Sequence, residues 1–485
     1  MKLICIAHRF NYELENIIRI FLPYEKTEVV FGDAPALPPY AVCAVSGNTA
    51  TVRLDLGNGV RELTDEVLPD FSAADTERTL AVMLWQLLRA ELSYTPKWGI
   101  LTGVRPSKLM RSLVSQAGER SALKRFSEVL LVSPEKAELA LAVARAEEKI
   151  IATDTPDSFS LYIAIPFCPT RCAYCSFVSH AIESDSAKKT VEPYIRLLPK
   201  EIELIGKIAN DLGLKIRSVY WGGGTPTSLT ARQMEPVFKA IASAFDVSGV
   251  PEYTVEAGRP DTITEDKLRL MREYGVTRLS VNPQTFNDSV LALIGRRHSA
   301  EDTLRAYSRA RDAGFRDINM DFIAGLPGDT PESFGDSIDT ALSLKPENIT
   351  VHTLALKRSS AIVTENKTDT LRADMTGGML DYASFALSGG GYAPYYMYRQ
   401  SRSLGNLENV GYSLSGHECA YNVFMMEECQ TVLAAGAGAV TKLSAGGAAH
   451  IERIFNFKFP YEYISRFSEL MSRKDGIYSF YKAYR

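Results

Sequence analysis

Cysteine is scarce in this 485-residue chain, with seven in all, and positive charge has no surplus, since 54 Lys and Arg stand against 58 Asp and Glu. Seven cysteines in so long a chain cannot build the dense disulfide framework of a small secreted scaffold. A net charge of -4 offers no general electrostatic reason to bind nucleic acid or an anionic membrane, so no nucleic-acid partner is expected. Long apolar runs are missing too. TLAVMLWQLLRAEL is broken by Arg89 and Glu91, and VLAAGAGAV is short and glycine-rich, so no membrane span is expected. The opening MKLICIAHRF holds five apolar residues between Lys2 and His8, fewer than a secretory signal core needs. Together these absences lead to the expectation of a cytoplasmic globular protein.

With 46% hydrophobic residues the chain has enough apolar side chains for two or three domains. Residues 1–155 read as an N-terminal α+β and helical domain. Short β-like runs (LICIA, EVVFG, AVCAVSG, ATVRLDL) alternate with the amphipathic YELENIIRIFL, and helical patterns follow near Ala74–Leu92 and Glu119–Ala152. ATDTPDSFS reads as a linker. Residues 156–366 then alternate regularly: LYIAI, SVYW, EYTVEA, RLSVN, INMDFIAG and ITVHTLAL are six strands, the first five each followed by a helical pattern. Such alternation implies a parallel sheet with right-handed crossovers. An open partial barrel and a doubly wound sheet both fit, and in both the reactive edge lies at the C-terminal ends of the strands. Residues 367–485 lose the periodicity and are expected to form a C-terminal, substrate-covering region.

Three of the cysteines crowd into IAIPFCPTRCAYCSF, where Cys168, Cys172 and Cys175 are spaced C-x-x-x-C-x-x-C just after the first strand. Structural zinc closes a tetrahedron with four ligands, commonly from paired C-x-x-C units, and no second pair is present. Three thiolates on a 4Fe-4S cluster leave one iron open to a further ligand. His180 as a fourth ligand, closing a zinc or cluster site, is the alternative. Cys5, Cys43, Cys419 and Cys429 have no ligand spacing and read as buried or incidental thiols.

The other strand ends carry polar or glycine residues. SVYWGGGTPTSL puts Gly222, Gly223 and Gly224 after the second strand, where glycine allows close backbone approach. The spacing fits neither common nucleotide-phosphate loop, and a plain tight turn is the rival reading. Glu256 ends the third strand, Gln284 follows the fourth and Asp321 lies on the fifth. Polar residues in apolar strands are costly unless paired or turned to a ligand, and each alone could be a satisfied polar group. Arg296 suits bidentate carboxylate recognition or is a solvated arginine.

With Tyr174 before its last cysteine, the loop is similar to the signature of the radical S-adenosylmethionine (SAM) superfamily, and GGGTPT resembles the form taken in its oxygen-independent coproporphyrinogen III oxidase family. The length and the motifs GNLENVGYSLSG and NVFMMEECQTVLAAGAGAVTKL resemble the long, HemZ-like branch. The resemblance implies an α/β fold, a partial (β/α)6 radical SAM barrel between an N-terminal α+β domain and a C-terminal extension. It implies a 4Fe-4S cluster on Cys168, Cys172 and Cys175, and SAM held by Tyr162, Tyr174, Gly223, Gly224, Thr225, Glu256, Gln284, Arg296, Asp321 and Ala355, with Tyr162 also the expected catalytic side chain. The implied reaction is oxidative decarboxylation of two propionates of coproporphyrinogen III to the vinyls of protoporphyrinogen IX in oxygen-independent heme biosynthesis. Implied partners are a tetrapyrrole substrate and an electron donor such as a flavodoxin or ferredoxin. Arg399 and Arg402 are candidates to grip propionates. A heme chaperone of the same family and a radical methyltransferase acting on a tetrapyrrole are the alternatives. The chain departs from the oxidase pattern at two places, with Ala164 at a histidine position and Phe177 at the position of a further cysteine.

Overall fold

The computed structural model describes the chain except residues 24, 36, 69, 176–179, 356–359, 361–372, 401 and 485 and the side chain at 186. Phe177 therefore lies outside the described residues. The chain divides into two compact units, Met1–Ala142 with Arg372–Gly377 and Tyr398–Glu408, and Val143–Leu371 with Gly378–Met397 and Asn409–Arg485.

In the first unit the β-like runs form a five-stranded sheet in the order Glu28–Phe31, Lys2–Ile6, Tyr40–Ser46, Thr49–Asp55, Arg61–Glu66. Helix Asn11–Phe21 buries Leu14, Ile17 and Ile18, and helix Ala73–Leu92 buries Leu80, Leu84 and Leu88, each on one apolar stripe. The helix expected over Glu119–Ala152 is interrupted. Glu119–Lys124 runs into a π turn at Arg125–Val129, and a new helix starts at Pro134, whose missing N–H suits a first turn. Arg399 is not a free grip for propionates: it is 3% exposed, stacks over Trp98 at 5.0 Å and donates to the Gly103 carbonyl. Arg402 is exposed.

The second unit holds the six expected strands, Ser158–Ile165, Lys215–Gly223, Glu252–Glu256, Arg278–Ser280, Asp317–Ala324 and Asn348–Thr353, all parallel and neighbours in chain order. A doubly wound sheet must reverse its strand order somewhere, and this one never does. Right-handed crossovers in one direction put all five connecting helices on one face, which is the winding of a partial barrel. Those helices are Asp185–Asp211, Ala231–Ala244, Glu265–Glu273, Ala300–Asp312 and Pro331–Leu344. Ser184, Thr230, Ser299 and Thr330 cap four of them, each accepting from the N–H three residues on. Alternate strand residues such as Leu161, Ile163, Val219, Trp221 and Val255 are fully buried toward the helices, and Trp221 stacks on Phe238 at 4.4 Å. The opposite parity, beginning with Tyr162, lines the inner wall.

Further strands of this sheet were not in the periodicity. The motif TVLAA is a seventh parallel strand, Thr431–Ala435, paired to the first with Ala434 opposite Tyr162, and two antiparallel strands, Val440–Ala445 and His450–Phe455, extend it. A buried network ties this extension to the first crossover helix. Glu201, fully buried, accepts from Gly436 N at 2.9 Å, Asn456 Nδ2 at 2.7 Å and Tyr463 Oη at 2.7 Å, and pairs with Lys474 Nζ at 2.9 Å. Lys474 in turn donates to Ala434 O at 2.8 Å. Removing one partner strands the other charge in a dry site. Glu201→Ala is expected to destabilise the protein by about 3–5 kcal/mol, read as a lower thermal midpoint, whereas an unchanged midpoint would show the network to be idle.

Candidate functional site

The cysteine loop leaves the first strand and is tied down on both sides. Phe167–Cys168 pairs with His180–Ala181, Ala173 N donates to Ile294 O at 2.9 Å, and Cys175 N closes a turn on Cys172 O at 3.1 Å. The end of the second strand lies flush against it. A Cβ on Gly224 would meet Phe167 O at 2.5 Å and Cys168 Sγ at 3.0 Å, and one on Gly222 would meet the Glu256 carboxylate at 3.2 Å. Gly223 has φ +107°, a conformation that other residues resist. Gly224 N donates to Ile165 O at 2.8 Å and Thr225 N to Phe167 O at 2.7 Å. Two N–H groups that a phosphate loop would need free are thus engaged, and the glycines serve close approach. The Thr225 hydroxyl lies 3.6 Å from Cys168 Sγ.

On the inner wall three tyrosine rings stack. Tyr220 and Tyr421 lie 4.3 Å apart at 15°, and Tyr162 stacks on both at 6.3 and 6.4 Å. Burial pushes all three phenols above their ordinary pKa, so they stay protonated. Tyr421 comes from the helix Ala420–Glu427, whose first N–H groups donate to the Glu252 carboxylate at 2.8 and 3.2 Å. Tyr220 donates to Glu256 Oε1 at 2.6 Å. Desolvation raises the Glu256 carboxyl to about 7, with the nearby Asp321 charge adding to the rise. Asp321 goes the other way. Burial raises it, but the His352 ring, with Nε2 3.8 Å from Oδ1, and the hydrogen bond from the Asn319 amide at 2.8 Å leave it below its usual value. Two facing carboxyls are thereby driven apart, one protonated near neutrality and one ionised. The side chains of Asp321 and His352 retain 21% and 25% exposure, so this wall opens onto space instead of being sealed.

Arg296, 8% exposed, reaches across the strand ends. Its Nη1 donates to Asn282 O at 2.6 Å and its Nη2 to Tyr174 Oη at 3.3 Å. Its Nε and the Oδ1 of Asn282 are buried with no hydrogen-bond partner among the described residues. Gln284, with φ +70°, bonds through its backbone to Asp321 O at 2.9 Å and Ile323 N at 3.0 Å, fixing the turn after the fourth strand to the fifth. Ala355 follows the sixth strand at the same end. Arg259 is forked on Asp261, and one of its nitrogens lies 3.9 Å from Cys172 Sγ. Burial raises the Asp261 carboxyl, but the nearby His298 ring and the forked hydrogen bonds and charge of Arg259 hold it well below the usual carboxylate range.

Every residue expected at the rim is thus on the C-terminal half of the strands or in the loops that follow them. The spacing did not reveal Tyr220, Arg259, Asn282, His352 and Tyr421. Tyr220 carried a signal, since it sits on the inward parity of its strand opposite Tyr162. His180 is tied through its backbone to Pro166, its N–H donating to Pro166 O at 2.9 Å. The donor set of the loop suits an iron–sulfur group: three cysteine sulfurs, two of them beside a hydroxyl and a guanidinium donor.

Residues 162–341 match the model of the radical SAM superfamily. Over 479 residues the chain is 36% identical to the oxygen-independent coproporphyrinogen-III oxidase-like protein HemZ of Bacillus subtilis (strain 168), covering 96% of this chain and 95% of that protein. It is 39% identical over 199 residues to the heme chaperone HemW of the same organism, which covers 41% of this chain and 51% of that one. Among solved structures, coproporphyrinogen III oxidase (HemN) from Escherichia coli, described as a radical SAM enzyme, superposes with a TM-score of 0.53 at 24% identity, over 68% of this chain and 73% of that one, a likeness of fold. The near full-length identity and the shared fold together mean that the chain belongs to the radical SAM superfamily, within the HemZ-like branch of the oxygen-independent coproporphyrinogen III oxidase family.

Proposed function

We propose that the protein is a radical SAM oxidoreductase that oxidatively decarboxylates propionates of coproporphyrinogen III toward protoporphyrinogen IX. The observation that carries this reading is the gathering of the three-cysteine loop, the glycine strand end and two carboxyls of divergent pKa at one end of a partial barrel. Cys168, Cys172 and Cys175 would hold a 4Fe-4S cluster, and its bound chemistry is reductive cleavage of SAM to methionine and a 5'-deoxyadenosyl radical. The chain's residues do the rest. The orphaned Arg296 Nε and Asn282 Oδ1 are a donor and an acceptor of the kind that the carboxylate and amino groups of SAM require. Glu256 and Asp321 offer carboxylates to the ribose hydroxyls. Tyr162, Tyr220 and Tyr421 present flat apolar faces with polar tips, suited to an adenine or a pyrrole ring. Gly223, Gly224 and Thr225 keep the second strand against the loop and water out. A flavodoxin or ferredoxin would supply the electron.

A heme chaperone is the second reading, and one observation weighs against the first. Ala164, at the position where the oxidase pattern has histidine, packs against Ala434 and Ala439, and Gly436 approaches so closely that a Cβ there would meet Ala164 O at 2.5 Å. The room for an imidazole is filled by the strand Thr431–Ala435 and its turn.

Anaerobic reconstitution with iron and sulfide, then reductant, SAM and coproporphyrinogen III, separates the two. The oxidase reading expects 5'-deoxyadenosine and protoporphyrinogen together, and neither from a chain with Cys168, Cys172 and Cys175 all changed to Ser. Tight heme binding with no vinyl product would replace it by the chaperone reading.

The raised Glu256 carboxyl gives a pH dependence with a definite sign. Below about 7 it is protonated and accepts from a ribose hydroxyl only as a weaker, neutral acceptor, so SAM affinity is expected to rise on approaching 7 from below and to level off above it. Equilibrium binding to Glu256→Gln should be weaker and flat over the same range. A variant that keeps the wild-type slope removes Glu256 from the SAM site.

A further inference from the structure

Beyond Glu256, where the third strand ends, the chain passes through Ala257 and Gly258 to Arg259, at the edge of the short turn Pro260–Thr262. Arg259 is 3% exposed, and a buried guanidinium is costly unless its donors are matched. Asp261 meets two of them in a fork, Nε to Oδ1 at 3.0 Å and Nη2 to Oδ2 at 3.0 Å. The third nitrogen, Nη1, turns to the cysteine loop. It donates to the Thr170 hydroxyl at 2.9 Å and reaches Cys172 Sγ at 3.9 Å. On the far side of the carboxylate, His298 Nδ1 lies 3.6 Å from Asp261 Oδ1. Sulfur, guanidinium and carboxylate therefore stand in line, with the cation in the middle and fixed in one plane. A lysine ammonium could not fork on Asp261 and still reach both Thr170 and Cys172.

The geometry points to Arg259 as a positioning residue that sets the reduction potential of the cluster bound through Cys172, with Asp261 controlling how much of its charge the cluster feels. This rests on the reading of Cys168, Cys172 and Cys175 as cluster ligands. Reduction brings in one electron from a low-potential one-electron donor and no proton, so the reduced cluster carries one more negative charge. A cation and a hydrogen bond at a ligand sulfur stabilise that extra charge and raise the potential. The Asp261 carboxylate, farther from the sulfur, opposes part of this effect. Arg259 is buried, so little solvent screens its contribution, whereas the Asp261 side chain keeps 30% exposure and its opposing effect is the more screened of the two.

The test is a redox titration, monitored by electron paramagnetic resonance, of the anaerobically reconstituted full chain without SAM, comparing wild type with Arg259→Gln and Asp261→Asn. Arg259→Gln is expected to move the midpoint to more negative values by a tenfold change in the one-electron equilibrium, about 59 mV, and Asp261→Asn to move it the opposite way. A role confined to bracing the loop would lower iron content in both variants without opposite shifts. Midpoints unchanged in both at full cluster content, or shifted with the same sign, overturn the proposal. Should Arg259→Gln load no cluster, Asp261→Asn decides alone by whether its midpoint rises. A wild-type chain that takes up no cluster fails at the earlier step and overturns the ligand reading itself.

Discussion

A side chain at position 224 would have nowhere to go, and that constraint organises the site. The Cβ of any other residue would press on Phe167 O at 2.5 Å and on the Cys168 sulfur at 3.0 Å. Its absence lets the end of the second strand lie flat against the cysteine loop, with Gly224 N bonded to Ile165 O and Thr225 N to Phe167 O, in addition to the loop's own turn and its pairing with His180–Ala181. Gly222, two residues back on the same face, leaves the space taken by the Glu256 carboxylate. A larger residue at either position would separate the thiols from the polar wall that the next strands supply.

The winding of the sheet extends this arrangement. Six parallel strands in chain order bring the ends of distant segments to one rim in sequence, Tyr162 beside Tyr220, then Glu256, Asn282 and Asp321. Electrostatics then differentiates groups that look alike in the sequence. Glu256 loses water and accepts from the Tyr220 phenol, so its proton is retained to about 7, whereas Asp321 has His352 and Asn319 to hold its charge. The same logic acts at the cysteines, where a hydroxyl and a guanidinium approach two sulfurs.

Much of this was legible from local pattern. Strand and helix alternation over 156–366, the cysteine spacing and the polar strand ends are short-range features, and the structure keeps each in its expected element. What could not be read is what depends on long-range packing. Periodicity fits a partial barrel and a doubly wound sheet equally, and only the strand order separates them. Tyr421 reaches the inner wall from more than two hundred residues downstream of Tyr162, positioned by Glu252, and nothing in the local sequence marks it. Arg399 has the chemistry of a propionate grip, yet the Trp98 ring and the Gly103 carbonyl claim it. The strand Thr431–Ala435 was visible only as an apolar, glycine-rich run, because its partner strand lies at the far end of the domain.

The claim on which the rest stands is that three thiolates hold a cluster with one iron left open for a cofactor. Mössbauer spectroscopy of the chain reconstituted anaerobically with the Mössbauer-active iron isotope, recorded with and without SAM, addresses it directly. The account predicts a 4Fe-4S signal in which one iron separates from the other three when SAM is added. A cluster whose spectrum ignores SAM, or a mononuclear metal bound in its place, would contradict it.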